Sequence, residues 1–551
     1  MIPRRRFPQI LFASLFLAAT VANAQNGQTA RVDSIFVQFS SGLTPGAAVA
    51  VVRNGTIVLS KGYGHADIEH KVPITGTSVF DVASVSKQFA GLAIAMLVEQ
   101  DKVSLTDDIK KYIPEMQDIG PRITVNHLVH HTSGLRDWPG TLGLAGWRFD
   151  DVISFDHILT MAFNQRTLNF DPGSEYMYSN TGYNLLAELV RRVTGKSFRA
   201  WTDAQLFKPL GMARTHFRDD HTEIFPDRVL GYSRSPDGTY RATSNNLMAL
   251  GSSSLFTTAE DLARWLANFD DAKVGGAKAM ARMRTTVPLN DGSPNNYAFG
   301  IGVGEYRGQP TLSHTGGWAS FSTAVLHFPA QKTGIVVLAN TPFGAMPAAQ
   351  RIADIYLDAS LGPRPPPPVR NEARVSNATL DRYVGLYRLG PGWYTHITRE
   401  RGGLRTQATR EDKASMTALS DSTFWVSDYN TDMVFRRTKD GNMEMLFRRK
   451  ARPRVQETSR PSKDRLAQFA GTYFSEELET TYHVEVKDGN LVMRHRRHGV
   501  IPLTWINGED FRGEVWFMRS AEFLRDGSGR VTGLSVTIDE RSRDIRFAKV
   551  R

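Results

Sequence analysis

The sequence predicts an α+β domain built on an antiparallel sheet, followed by two small antiparallel β-barrels. Three observations point there. Strand-like runs sit at both ends of the first part of the chain, with helix-like segments between them. Prolines 365–368 form a stiff linker. Beyond them the chain repeats itself, with Leu380, Tyr383, Gly385 and Tyr387 echoed 86 positions later by Leu466, Phe469, Gly471 and Tyr473.

Taken in order, residues 1–24 read as an export signal. Arg4, Arg5 and Arg6 give a positive start, residues 10–21 a short apolar stretch, and Ala22-Asn23-Ala24 a small-x-small cleavage signature. The apolar stretch falls short of the ~20 residues that span a bilayer. The expected product begins near Gln25 and is periplasmic or secreted. The part that mixes helical and strand patterns, residues 25–363, comes next. Residues 47–53 and 56–63 are strand-like and joined by Asn54-Gly55, a type I′ hairpin signal. Residues 323–328 and 334–340 form a second strand pair, and residues 86–100, 182–194 and 259–269 carry helical periodicity. After a linker at 364–372, residues 373–460 and 461–551 form the two repeated units, whose alternating aromatics read as barrel core.

Composition excludes several functions. The chain of 551 residues has no cysteine, so a disulfide framework, a thiolate nucleophile and a Cys-ligated metal are ruled out. Residues 25–363 hold 30 Lys+Arg against 31 Asp+Glu, whereas residues 364–551 hold 34 against 25. The excess is interspersed rather than blocked, which suits a solvated strand surface and weak association with an anionic cell envelope. No nucleic-acid motif is present. His127, His130 and His131 lack the acidic partner of an H-E-x-x-H site, and no metal or cofactor is expected.

The chemistry lies in the first part. Ser84-Val85-Ser86-Lys87 follows strand-like residues 79–82 and opens a long apolar helix, so Lys87 shares a helix face with the Ser84 hydroxyl. An ammonium there stabilises alkoxide character; a desolvated, neutral amine acts as base. Tyr178-Ser179-Asn180 adds a phenol that takes or gives a proton and an amide that orients lysine and substrate. His314-Thr315-Gly316-Gly317 begins a strand-like segment whose glycines permit close backbone approach, and the N–H groups of Ser84 and Gly317 are candidates for an oxyanion hole.

With these motifs in this order, the first part resembles the penicillin-recognising serine hydrolases: class C β-lactamases, D,D-peptidases, related esterases and D-aminopeptidases. Residues 128–135 and 251–262 are also similar to that superfamily, and the resemblance spans about residues 35–360. It implies a sheet flanked by helices with a helical subdomain. With two lipocalin-like barrels appended, the architecture is most similar to the D-aminopeptidase subgroup. The resemblance makes Ser84 the acylated nucleophile, Lys87 its activating partner and Tyr178 the general base. Asn180, His314, Gly316 and Gly317 become substrate-binding. Histidine stands where β-lactamases carry a lysine, and a mostly neutral imidazole anchors a carboxylate weakly. The expected reaction is therefore cleavage of small D-amino-acid amides, peptides or esters. β-Lactamase or D,D-carboxypeptidase activity is the alternative, and a catalytically idle receptor for peptidoglycan fragments the alternative of another class. An aminopeptidase also needs an anion for the substrate ammonium; the D-aminopeptidase resemblance implies a barrel loop reaching towards the cleft, and Asn507-Gly508-Glu509-Asp510 is either its counterpart or an exposed hairpin turn. The expected partners are a small molecule or short peptide and a second copy of the chain.

Overall fold

The computed structural model describes residues 27–364, 366 and 369–550. The export-signal expectation and most of the proline run lie outside them. A six-stranded antiparallel sheet organises the first domain. Its strands are β1 (Ala47–Arg53), β2 (Thr56–Tyr63), β3 (Gly302–Tyr306), β4 (Gln309–Trp318), β5 (Phe321–Phe328) and β6 (Thr333–Ala339). Their spatial order is β3-β4-β5-β6-β1-β2, so the two chain ends meet where β1 pairs with β6, Val51 opposite Ile335. Asn54 and Gly55 take φ of 50° and 76°, as the primed hairpin turn requires.

Alternation along β1 explains the layering. Ala48, Ala50 and Val52 face one core with Leu262, Trp265 and Leu266, whereas Ala47, Val49 and Val51 face another with Ile335, Val337 and Ile352. Both faces are covered, which is why the strand reads as a continuous apolar run rather than an in–out pattern. The helices are α1 (Lys87–Glu99), α2 (Trp138–Ala145), α3 (Asn180–Thr194), α4 (Ala259–Asp271) and α5 (Ala345–Tyr356), of which α4 lies on β1 and β6 and α5 on β5 and β6. α3 begins where the Ser179 side chain accepts the Gly182 N–H and ends at Gly195 in the left-handed region, φ 69°. Among the described residues no helix is long and apolar enough to cross a membrane.

Two closed eight-stranded antiparallel barrels follow, spanning residues 385–455 and 471–550. The sequence repeat survives in atomic detail. The hydroxyls of Tyr387 and Tyr473 each donate to a carbonyl four residues earlier, Tyr383 and Phe469. Tyr383 stacks on Phe435, and Phe469 on Phe523, at 4.4 and 4.3 Å. These aromatics fill the barrels.

The second barrel is bolted to the first domain. Leu144 of α2 enters its core, and the Tyr482 hydroxyl donates to the Leu144 carbonyl at 2.8 Å. Arg136 and Glu477 form an ion pair at 2.8 Å with side chains only 2% and 7% exposed. Removing one partner of such a pair strands a buried charge, at a cost of about 3–5 kcal/mol. Glu477→Ala is therefore expected to lower the urea midpoint, with amide exchange rising first at residues 534–547. Unchanged protection there would show that the pair does not hold the docking.

Two sequence expectations need correction. The strand-like residues 79–82 contribute only a two-residue strand, Phe80–Asp81. The His314 stretch ends a strand rather than beginning one, because β4 starts at Gln309.

Candidate active site

Ser84 stands at the junction of sheet and helix. It lies in a tight 3-10 turn, Ala83–Ser86, which passes straight into α1 at Lys87. The residue before it, Ala83, adopts φ 46°, an unfavourable conformation for a side chain, and its N–H donates to buried Asp81 at 2.8 Å. The turn also packs directly on β4. A Cβ added at Gly316 would sit 2.2 Å from the Val82 carbonyl oxygen and 3.1 Å from the Ser84 nitrogen. Only glycine lets the strand approach so closely. Gly317 lines the same cleft, a concavity of about 660 Å³ that also exposes Ser84, Tyr178, Asn180, His314 and Arg541.

The residues singled out in the sequence converge here. Lys87 Nζ lies 3.2 Å from Ser84 Oγ and donates to Asn180 Oδ1 at 2.7 Å and to the Ser252 carbonyl at 2.8 Å. The same nitrogen lies 4.8 Å from the Tyr178 ring centroid, and Tyr178 and Ser84 line the same cleft. Lys87 is fully buried, and burial drives its pKa well below the ordinary lysine value, with Asp137 opposing and Arg541 reinforcing. Burial pushes the Tyr178 phenol the other way, upward.

His314 is not a cation. Burial, with Lys87 nearby, lowers its pKa to about 3. Its Nδ1 faces the Thr315 carbonyl at 2.6 Å and must donate, leaving Nε2 to accept the Tyr297 hydroxyl at 2.8 Å. His131 closes the rear wall between the rings of Tyr178, Tyr183 and Tyr297 and accepts the Ser179 N–H at Nδ1, 3.1 Å away. His127 and His130 bond to the backbone around them: His127 Nδ1 accepts the Thr124 N–H, and His130 Nδ1 and Nε2 face the Asn126 and Thr285 carbonyls.

The acidic loop at 507–510 is not the barrel element that reaches the cleft. Glu509 pairs with Arg465 and Arg525. Asp510 is buried where the barrels meet, accepting from the Gly392 N–H, the Tyr394 hydroxyl and the Ser520 hydroxyl, and its pKa rises to about 6 through burial. The element that reaches in is the turn at 538–544 of the second barrel. The Arg541 carbonyl accepts the Asp137 N–H at 3.1 Å and Asn169 Nδ2 at 2.8 Å. The Arg541 guanidinium lies 5.4 Å from the Tyr178 ring centroid and 3.4 Å from Asp137 Oδ2.

Asp137, Tyr297 and Arg541 escaped the sequence reading. Asp137 lies just beyond the family-like residues 128–135. Arg541 is one basic residue among 34 in its part of the chain, more than 350 positions from its neighbours, and no spacing rule could single it out.

A serine beside a buried lysine, with a tyrosine and an asparagine on the second side and a glycine-bearing strand on the third, defines a serine-hydrolase type of site on an α+β scaffold. The Beta-lactamase family model matches residues 32–360, and the chain belongs to that family. It is 27% identical over 444 residues to a D-aminopeptidase of Gluconobacter oxydans, covering 79% of this chain and 80% of that one. It is 26% identical to penicillin-binding protein 4* of Bacillus subtilis, over 72% of this chain and 92% of that one. In fold it is similar to the octameric penicillin-binding protein homologue of Pyrococcus abyssi, with a TM-score of 0.55, 19% identity and 87% and 98% of the two chains covered.

Gly316→Ala tests the packing of turn on strand. The methyl group displaces Ser84 from β4, and losing one well-aimed oxyanion donor typically costs about 100- to 1,000-fold in rate. A loss of that size with unchanged circular dichroism is the expected result.

Proposed function

We propose that the protein is an exported serine acyl hydrolase that works through an acyl-enzyme at Ser84 on small amides, peptides or esters. The observation that carries this reading is the fully buried Lys87 amine 3.2 Å from the Ser84 hydroxyl. Burial favours the uncharged pair of amine and phenol over ammonium and phenolate. Lys87 then accepts the Ser84 proton as Oγ bonds to the substrate carbonyl carbon. This assigns the base to Lys87 rather than to Tyr178. The resulting oxyanion faces the N–H groups of Ser84 and Gly317. Tyr178 gives its proton to the departing amine or alcohol as the scissile bond breaks, and regains one from the Lys87 ammonium. Water repeats the sequence at the acyl carbon and restores Ser84.

The similarity to a D-aminopeptidase supports D-amino-acid amides or short peptides as substrates. One observation favours the second reading, peptides or β-lactams with a free carboxylate. Among the described residues lining the cleft none is acidic, and the cation missing at His314 is offered instead by Arg541. A substrate ammonium has no partner there, whereas a carboxylate does.

Ser84→Ala is expected to abolish both turnover and labelling by a fluorophosphonate. Labelling of the wild type without turnover of any acyl substrate would favour the idle receptor. D-alanine p-nitroanilide, a neutral acyl ester and a chromogenic cephalosporin assayed together would rank the substrates. Arg541→Ala is expected to lower kcat/KM for the carboxylate-bearing substrate about tenfold or more beyond its effect on the neutral ester, since a charge-assisted hydrogen bond is worth roughly 1.5–3 kcal/mol. Equal losses on both would remove the carboxylate reading.

A further inference from the structure

We propose that Asp137 and Arg541 form a working ion pair across the boundary between the first domain and the second barrel, which positions Asn180 and sets the electrostatic surroundings of Lys87. The inference rests on the acyl-enzyme reading and adds positioning residues to it. The second barrel thereby becomes part of the catalytic apparatus.

The geometry is specific. Asp137 precedes α2, and its side chain is 5% exposed. Its carboxylate does not cap that helix; it turns instead to α3. Oδ1 accepts the Asn180 N–H at 2.8 Å, and Oδ2 accepts Asn180 Nδ2 at 3.0 Å. The second bond fixes the Asn180 amide with its oxygen towards Lys87, 2.7 Å away. An amide turned the other way would present its NH₂ to the amine and break both contacts. The Asp137 main chain is tied to the barrel as well, through its N–H to the Arg541 carbonyl and its carbonyl to the Ser542 hydroxyl at 3.2 Å.

A buried carboxylate needs compensation, and Arg541 supplies it. Burial raises the Asp137 pKa, while Arg541, the Asn180 N–H and Lys87 hold it down and Asp539 opposes them. Seen from Lys87, the two members of the pair act in opposite directions. Asp137 favours its ammonium form, and Arg541 disfavours it. The other titratable groups around the amine carry no charge near neutrality. Burial keeps His131 and His314 deprotonated and Tyr178, Tyr183 and Tyr297 protonated.

The test is the pH dependence of inactivation by a neutral fluorophosphonate, with kcat/KM for a neutral acyl ester alongside it. Neither probe carries a carboxylate for Arg541 to bind. If neutral Lys87 is the base, the acidic limb follows its pKa. Arg541→Gln removes a charge that favours the neutral amine, so the limb moves to higher pH. Asp137→Asn removes a charge that favours the ammonium, so the limb moves to lower pH. Each displacement should be about 0.5 pH unit or more, and the double variant should fall between the single ones. Arg541→Lys keeps the charge and should leave the limb in place. Loss of amplitude without displacement, or displacement of both variants in one direction, overturns the proposal. If Asp137→Asn does not fold, the contrast between Arg541→Gln and Arg541→Lys decides it alone. Wild-type labelling that survives Ser84→Ala would instead overturn the acyl-enzyme reading, so the two failures are told apart.

Discussion

The burial of one amine governs the rest of this structure. Taking the Lys87 nitrogen out of water carries a large desolvation cost for its charged form. The chain meets that cost with Asn180, the Ser252 carbonyl and Ser84, drawn from three separated stretches. A tyrosine face and a distant carboxylate complete the enclosure. The sheet, the tight turn at Ser84 and the start of α3 serve to bring these groups to one point. The result is a lysine whose proton is loosely held 3.2 Å from a serine hydroxyl.

The backbone around that point shows where stability was given up for position. Ala83 is held with positive φ, and Gly316 stands where any side chain would collide with the Val82 carbonyl. Neither feature helps the fold. Both bring Ser84 against β4, so that the turn and the strand share one cleft. Local strain offset by the surrounding core is the usual mark of a reacting centre.

Much of this is legible in the sequence. The Asn54-Gly55 turn, the strand pair at the far end of the domain and the repeat of Leu, aromatic, Gly and Tyr past the prolines each carry a local rule, and each specifies its element. The helices over 86–100 and 182–194 follow from periodicity, to within one or two residues at their ends. Ser84, Lys87, Tyr178 and Asn180 were visible because they sit in short motifs. What escaped was contact between remote segments. Val79 to Val82 is apolar enough for a longer strand, but the chain must turn sharply after Asp81 to present Ser84. The loop at 507–510 is a candidate for the reaching element only through the resemblance to D-aminopeptidases, and Asp510 is occupied in joining the barrels. Arg541 comes from an unremarked turn, and only the docking of Leu144 and Glu477 tells which turn of the second barrel meets the cleft.

The manner in which that turn is held has a corollary for substitution. Its anchorage to Asp137 and Asn169 runs through the Arg541 carbonyl, a group every amino acid possesses, while the guanidinium, half exposed, bears on the cleft. The turn's attachment and its charge at the cleft are thus carried by different atoms of the same residue. A substitution at this position leaves the main-chain anchorage of the turn in place while it changes the charge at the cleft and the compensation of Asp137.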